Sequence, residues 1–167
     1  MSDEQYRNDT PSVTIGSSAG GSLTISVVGR MHPEAIDFDD GNWLLSPVEV
    51  VVGHFSACIP ASLRADELRA FRTGLSEVYE NFGGIARLQS MEGWLSLAAT
   101  VHSSGRVEID GEVIDSIGSR NKLIFRLDGI DQSYLPGIID SLLSIENEFP
   151  VRGEEQRLRR LREQKPR

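Results

Sequence analysis

From Ser22 onward the chain alternates. Leu23, Ile25 and Val27 are separated by Thr24 and Ser26, the period of a strand with one buried face. A second apolar stretch, residues 43–52, sets Val48, Val50 and Val52 on one face, with Pro47 marking an edge or a bulge. Gly53 and His54 then turn the chain into a third strand through Phe55, Ala57 and Ile59. The period changes next: Leu68, Phe71, Leu75, Val78 and Phe82 recur at helical spacing and form one face. Asp66 and Glu67 suit the positive end of that helix, and Gly83 and Gly84 are its expected stop. Four more strands, residues 85–90, 93–102, 106–115 and 121–128, follow with short glycine-containing connections, which predicts an antiparallel meander. A second helix is predicted over residues 134–147, with Leu135, Ile138, Ile139, Leu142 and Ile145 inward. Ser133 is its expected cap, and Pro136 then stands at a position where its missing N–H costs no helix bond.

The pattern predicts an α+β domain of order βββ-α-ββββ-α, an antiparallel sheet of six or seven strands packed against two helices. Its core is expected to contain Leu68, Phe71, Leu75, Leu95, Leu97, Val107, Ile109, Phe125, Leu127, Ile138 and Leu142. Residues 1–21, rich in Ser, Gly, Asp and Thr, read as a flexible leader, and residues 22–153 as one domain. Residues 154–167 read as a basic tail that is frayed or partner-dependent.

At 167 residues, with 39% hydrophobic and 25% charged side chains, the chain can bury a core without disulfide or metal support. The single cysteine, Cys58, allows no intrachain disulfide. No run of 18 apolar residues occurs and residues 1–21 lack an apolar centre, so a cytoplasmic protein that does not span a membrane is the expectation. Charge is uneven: residues 1–151 hold 10 basic and 22 acidic side chains, a balance of −12, whereas residues 152–167 hold 7 and 3, a balance of +4. An acidic body argues against binding a nucleic-acid backbone and favours a basic protein partner.

The chemistry of catalysis is thinly represented. Gly16-Ser17-Ser18-Ala19-Gly20 spells the serine nucleophile elbow, but that motif needs a strand before it and a helix after it, and here a predicted leader precedes a strand. Asp37, Asp39 and Asp40 beside Gly41 resemble a calcium loop with the glycine one position early and Val48 where the closing glutamate belongs. His32, His54 and His102 lie far apart without helical zinc spacing and are expected at the surface. Cys58 with His54 spells a conceivable nucleophilic pair, although a lone cysteine in an apolar strand is more simply packing. No catalytic residue, metal site or cofactor is therefore assigned. Two acidic groups remain as partner-binding candidates: Glu34, Asp37, Asp39 and Asp40 in the loop, and Glu108, Asp110 and Glu112, which share one strand face. Lys122 and Arg126 on the next strand could pair with the second group, which would make it an ordinary solvated face.

The runs Asp39-Asp40-Gly41-Asn42-Trp43-Leu44, Glu92-Gly93-Trp94-Leu95, Asp131-Gln132-Ser133-Tyr134-Leu135-Pro136 and Phe149-Pro150-Val151-Arg152-Gly153 occur in an order and at spacings that resemble the WapI-type immunity proteins of bacteria. The resemblance spans about residues 23–153. Threonine often stands in that family where Ser133 stands here, and both side chains can cap a helix. The resemblance implies a non-enzymatic protein that binds and neutralises a cognate toxin. The matching residues themselves mostly have structural explanations: Asp40 and Asn42 can hold the loop, Trp43 can fill the core, and Ser133 can cap. The residues alone leave two other readings open, a small adaptor or structural module, and a small enzyme using Cys58 or the acidic loop.

Overall fold

The computed structural model describes residues 10–155, together with Arg160 and Glu163. Its strands are β1 Ser12–Ser17, β2 Gly21–Ser26, β3 Gly29–Arg30, β4 Leu44–Leu45, β5 Val48–Val52, β6 Phe55–Ile59, β7 Gly84–Gln89, β8 Leu95–Val101, β9 Arg106–Ile114 and β10 Lys122–Asp131. Its helices are α1 Phe38–Gly41, α2 Ala65–Glu80 and α3 Leu135–Glu148, the last entered through a 3-10 turn, Gln132–Tyr134. The α+β class and the antiparallel pairing are as the patterning predicts. The single sheet and the count of two helices are not: the strands form two four-stranded sheets, β1-β2-β5-β6 and β10-β9-β8-β7, with β3 and β4 paired separately, and α1 adds a third helix whose four residues are too few to show a helical period in sequence. Period-2 alternation specifies which face of a strand is buried, and both sheets satisfy it by turning their apolar faces into one core.

The missed strand, β1, lies inside the segment expected to be a leader. Val13 and Ile15 pair with Ile25 and Leu23, and all four are buried. Two apolar residues are too few to betray a strand from sequence, but a hairpin partner carrying Leu23 and Ile25 supplies the rest of the buried face. The Gly16-to-Gly20 stretch is accordingly the end of β1 and the turn of a hairpin, in which the Ser17 hydroxyl accepts from the Gly20 N–H at 3.0 Å. Gly20 abuts β10, its carbonyl accepting from the Asp128 N–H at 3.4 Å, and a side chain there would run into the Asp128 carbonyl. Residues 1–9 and most of the basic tail lie outside the described residues.

All eleven residues expected in the core are buried. Helix α2 buries Leu68, Phe71, Leu75 and Val78 and lies over β7, where Gly74 lets the helix backbone approach Ala86. Helix α3 packs against α2 and β1, with Arg72 Nε donating to Glu146 at 2.7 Å between the helices. Phe82 departs from the predicted helix face. It sits beyond the C-cap Asn81, in the left-handed region at φ 53°, and is exposed. The cap of the second helix also differs: Asp131, not Ser133, opens the 3-10 turn, its carboxylate accepting from the Ser133 N–H at 2.8 Å. Pro136 and Gly137 can follow because the 3-10 turn has already set the chain's direction.

Candidate functional site

Residues 31–43 carry the chain from β3 to β4 around α1. Asp37 caps this short helix, its carboxylate accepting from the Asp40 N–H at 2.8 Å, and that bond holds the Asp37 carboxyl below the usual carboxylate range. The inner side of the loop is gripped by side chains from distant segments. Arg64, buried at the head of α2, donates to the Phe38 and Asp39 carbonyls, each at 2.7 Å, and to Asp66 at 3.0 Å. Its guanidinium carbon lies 5.0 Å from the ring centroids of both Phe38 and Trp43. Arg152 donates to the Pro33 and Ala35 carbonyls at 2.7 and 2.8 Å. Arg30 donates to the Gly41 carbonyl at 2.6 Å and to the Pro150 carbonyl. Burial, and then the neighbouring Arg152 charge, lowers the pKa of Arg30.

Asn42 closes the arrangement. Its amide donates to the Phe38 and Arg152 carbonyls, both at 2.9 Å, while its carbonyl accepts from the Arg152 N–H at 2.8 Å. Glu67 ties the site to the meander: its carboxylate accepts from the Arg64 N–H at 3.0 Å and from the Met91 N–H at 2.7 Å. Desolvation raises the Glu67 pKa, against the opposing pull of those two bonds. Among the described residues no buried side-chain nitrogen or oxygen lacks a partner.

With its carbonyls held from within, the loop presents Glu34, Ile36, Asp37, Asp39 and Asp40 outward. Ile36 is 80% exposed. A cleft of about 540 Å³ opens beside the loop, lined by Phe38, Asp66, Arg69, Val151 and Glu155 among others. A loop whose backbone is already fixed has little ordering cost to meet in any association.

The clamp unites two of the sequence runs singled out above, residues 39–44 and 149–153, which are more than a hundred positions apart. A model of the WapI-like immunity protein family matches residues 14–150. The chain belongs to that family. No curated protein matches it. An immunity role follows in general terms from membership in the WapI-like family, and such proteins are generally non-enzymatic. The structural explanations expected for the matching residues hold in part: Asn42 holds the loop, Asp40 contributes its backbone N–H to the Asp37 cap, Trp43 is half-buried against Arg64 rather than deep in the core, and Asp131 has the capping duty expected of Ser133. Arg30, Arg64 and Arg152 were not among the expected site residues. Arg64 carried a usable signal, since it occupies the position before α2 where a short polar cap is the rule.

The second acidic group behaves differently. Glu112 meets Lys122 at 3.3 Å, Asp110 meets Arg126 at 2.8 Å, and Glu108 meets both His102 at 2.9 Å and Arg106 at 3.2 Å. The His102 hydrogen bond, ahead of the nearby arginine charges, lowers the Glu108 pKa. These acids share one face of β9, as the alternation predicts, but cross-strand and hairpin cations stand beside each of them. The two acidic groups are thus separate in kind: one lies on a clamped loop, the other on a charge-balanced sheet face.

Other expectations shift in detail. His32 and His54 are exposed, whereas His102 is half-buried against Glu108. Cys58 is exposed on β6 opposite Glu49 rather than packed in the core. Among the described residues no three His, Cys, Asp or Glu side chains converge as metal ligands, and no helix is long and apolar enough to cross a membrane.

Proposed function

We propose that this protein neutralises a cognate toxin by direct, non-catalytic binding in the cytoplasm, and that the loop bearing Glu34, Asp37, Asp39 and Asp40 meets a basic surface of that toxin. The observation that carries this reading is the clamp: Arg64 and Arg152 from two remote segments, with Arg30 at the loop's start and Asn42 within it, fix the loop backbone while Glu34, Asp39, Asp40 and Ile36 face outward. Such an arrangement costs the fold polar machinery and has an evident use in recognition. The negative body steers a cationic partner within a Debye length of about 8 Å, and apolar contacts such as Ile36 supply residence time. The β9 acids Glu108, Asp110 and Glu112 are a secondary contact in this reading, because their charge is already balanced by neighbours.

Co-expression with the toxin encoded beside the gene for this chain tests the proposal. Protection of the cells together with binding of the purified proteins is the expected result. Absence of both sinks the immunity reading for this chain.

A further inference from the structure

Strand β7 is the outermost strand of its sheet. Its register against β8, with the Ser90 N–H bonded to the Leu95 carbonyl, makes Gly84, Ala86 and Leu88 the residues that bond to β8. The N–H and C=O groups of Ile85, Arg87 and Gln89 therefore point away from the sheet, along an open edge. Natural sheets commonly blunt such edges, and an unblunted one is a template for another strand.

Both ends of this edge carry exposed apolar side chains. Met91, just past β7, is 70% exposed, and Phe82, just before it, is 68% exposed. Phe82 is the more informative. It occupies the left-handed position that closes α2, with the Gly83 N–H bonded to the Val78 carbonyl and the Phe82 N–H to the Tyr79 carbonyl. Glycine is the residue this closure favours, and a bulky side chain is strained there. An aromatic that is strained in the fold and barely packed by it gains its advantage outside the chain.

We infer that the β7 edge receives an extended segment of the toxin as a fifth strand, with Phe82 and Met91 as apolar anchors at its two ends. The inference rests on the immunity reading and enlarges its interface. Continuity supports it: Glu67 accepts from both the Arg64 N–H and the Met91 N–H, so the Met91 end of the edge adjoins the head of α2, where Arg64 grips the acidic loop. A second copy of this chain fits the edge poorly. Neighbouring strands lie about 4.8 Å apart, a helix is about 10 Å across, and α2 lies over β7, so two copies joined at this edge would drive their α2 helices together. A single strand brings no such helix. Arg87, outward at the centre of the edge, calls for an acidic or polar residue on the incoming segment.

The test uses the full chain and the purified toxin domain encoded beside its gene. Phe82→Gly is expected to raise the thermal midpoint while weakening toxin affinity at least tenfold. This combination separates the inference from a structural role, which would lower both. Arg87→Pro removes an outward N–H without touching the ladder to β8 and is expected to weaken binding by a similar or larger factor. In the unaltered complex, amide exchange at Ile85, Arg87 and Gln89 should slow at least a hundredfold. Wild-type binding that survives both substitutions, with those three amides still exchanging freely, overturns the edge and leaves the immunity reading standing. Failure of the unaltered chain to bind overturns both. Self-association of the free chain, abolished by Arg87→Pro, would assign the edge to a second copy and overturn the inference.

Discussion

Asn42 and Arg152 are joined by a reciprocal pair of hydrogen bonds, the Asn42 amide to the Arg152 carbonyl at 2.9 Å and the Arg152 N–H to the Asn42 side-chain carbonyl at 2.8 Å. A side chain here does what a neighbouring strand does in a sheet: it satisfies both backbone groups of one residue, and it fastens the segment after α3 to the loop before β4. Asn42→Ala leaves both Arg152 backbone groups without their partner and takes one of two donors from the Phe38 carbonyl, which keeps Arg64. The expected loss is about 2–3 kcal/mol in urea unfolding, since a buried polar group without a partner costs about 1–3 kcal/mol. A loss below about 0.5 kcal/mol would show that water replaces the amide freely.

Arg64→Lys keeps the charge and discards the planar fork. One ammonium cannot reach the Phe38 and Asp39 carbonyls and Asp66 while lying between two rings, so the variant is expected to lose about 2 kcal/mol of stability. Amide exchange in residues 37–41 should quicken. Unchanged exchange there would argue that α1 holds itself without the guanidinium.

Phe71→Ala tests the helix face. Phe71 is fully buried beneath α2, and its truncation is expected to cost about 3–5 kcal/mol. Gly111→Ala tests the sheet. The added methyl would enter the ring of Phe125, its partner across β9 and β10, so about 1–3 kcal/mol is expected from overpacking. Chemical denaturation of both variants checks the two values together.

The pH dependence should carry opposite signs at Glu67 and Asp37. The Glu67 pKa is raised in the folded chain, so its contribution is fully present below the unfolded value and is lost as pH rises through the folded one. The Asp37 pKa is lowered, so its contribution is present above the unfolded value and is lost as pH falls through the folded one. Carboxyl titration by NMR should place Glu67 above and Asp37 below ordinary carboxylates. Relative to Glu67→Gln, the wild-type chain should lose stability as pH rises above the ordinary glutamate value of about 4.3.

Two charge-removal variants discriminate between the acidic surfaces. Replacing Glu34, Asp39 and Asp40 by serine should slow toxin association and flatten its salt dependence. Replacing Glu108, Asp110 and Glu112 should change association little and lower stability only slightly, since these pairs stand in solvent. The reverse pattern in stopped-flow association would move the interface to β9.

Much of this was legible in one dimension. The spacing of Leu68, Phe71, Leu75 and Val78 determined α2, and the alternation of Val107, Ile109 and Val113 determined the buried face of β9, because periodicity reports directly on which side of an element is dry. The cross-strand pairing of Asp110 with Arg126 and Glu112 with Lys122 was foreseeable from the same alternation. What only the tertiary structure decided are the long-range choices. These are the division of the strands into two sheets, the recruitment of Val13 and Ile15 into a strand, and the meeting of Arg30, Asn42, Arg64 and Arg152 around one loop. Those outcomes depend on packing and on hydrogen bonds to backbone carbonyls, and a carbonyl is the same group at every position. No residue type announces that its carbonyl will need a donor from a hundred positions away, so the clamp becomes visible only when the chain has closed on itself.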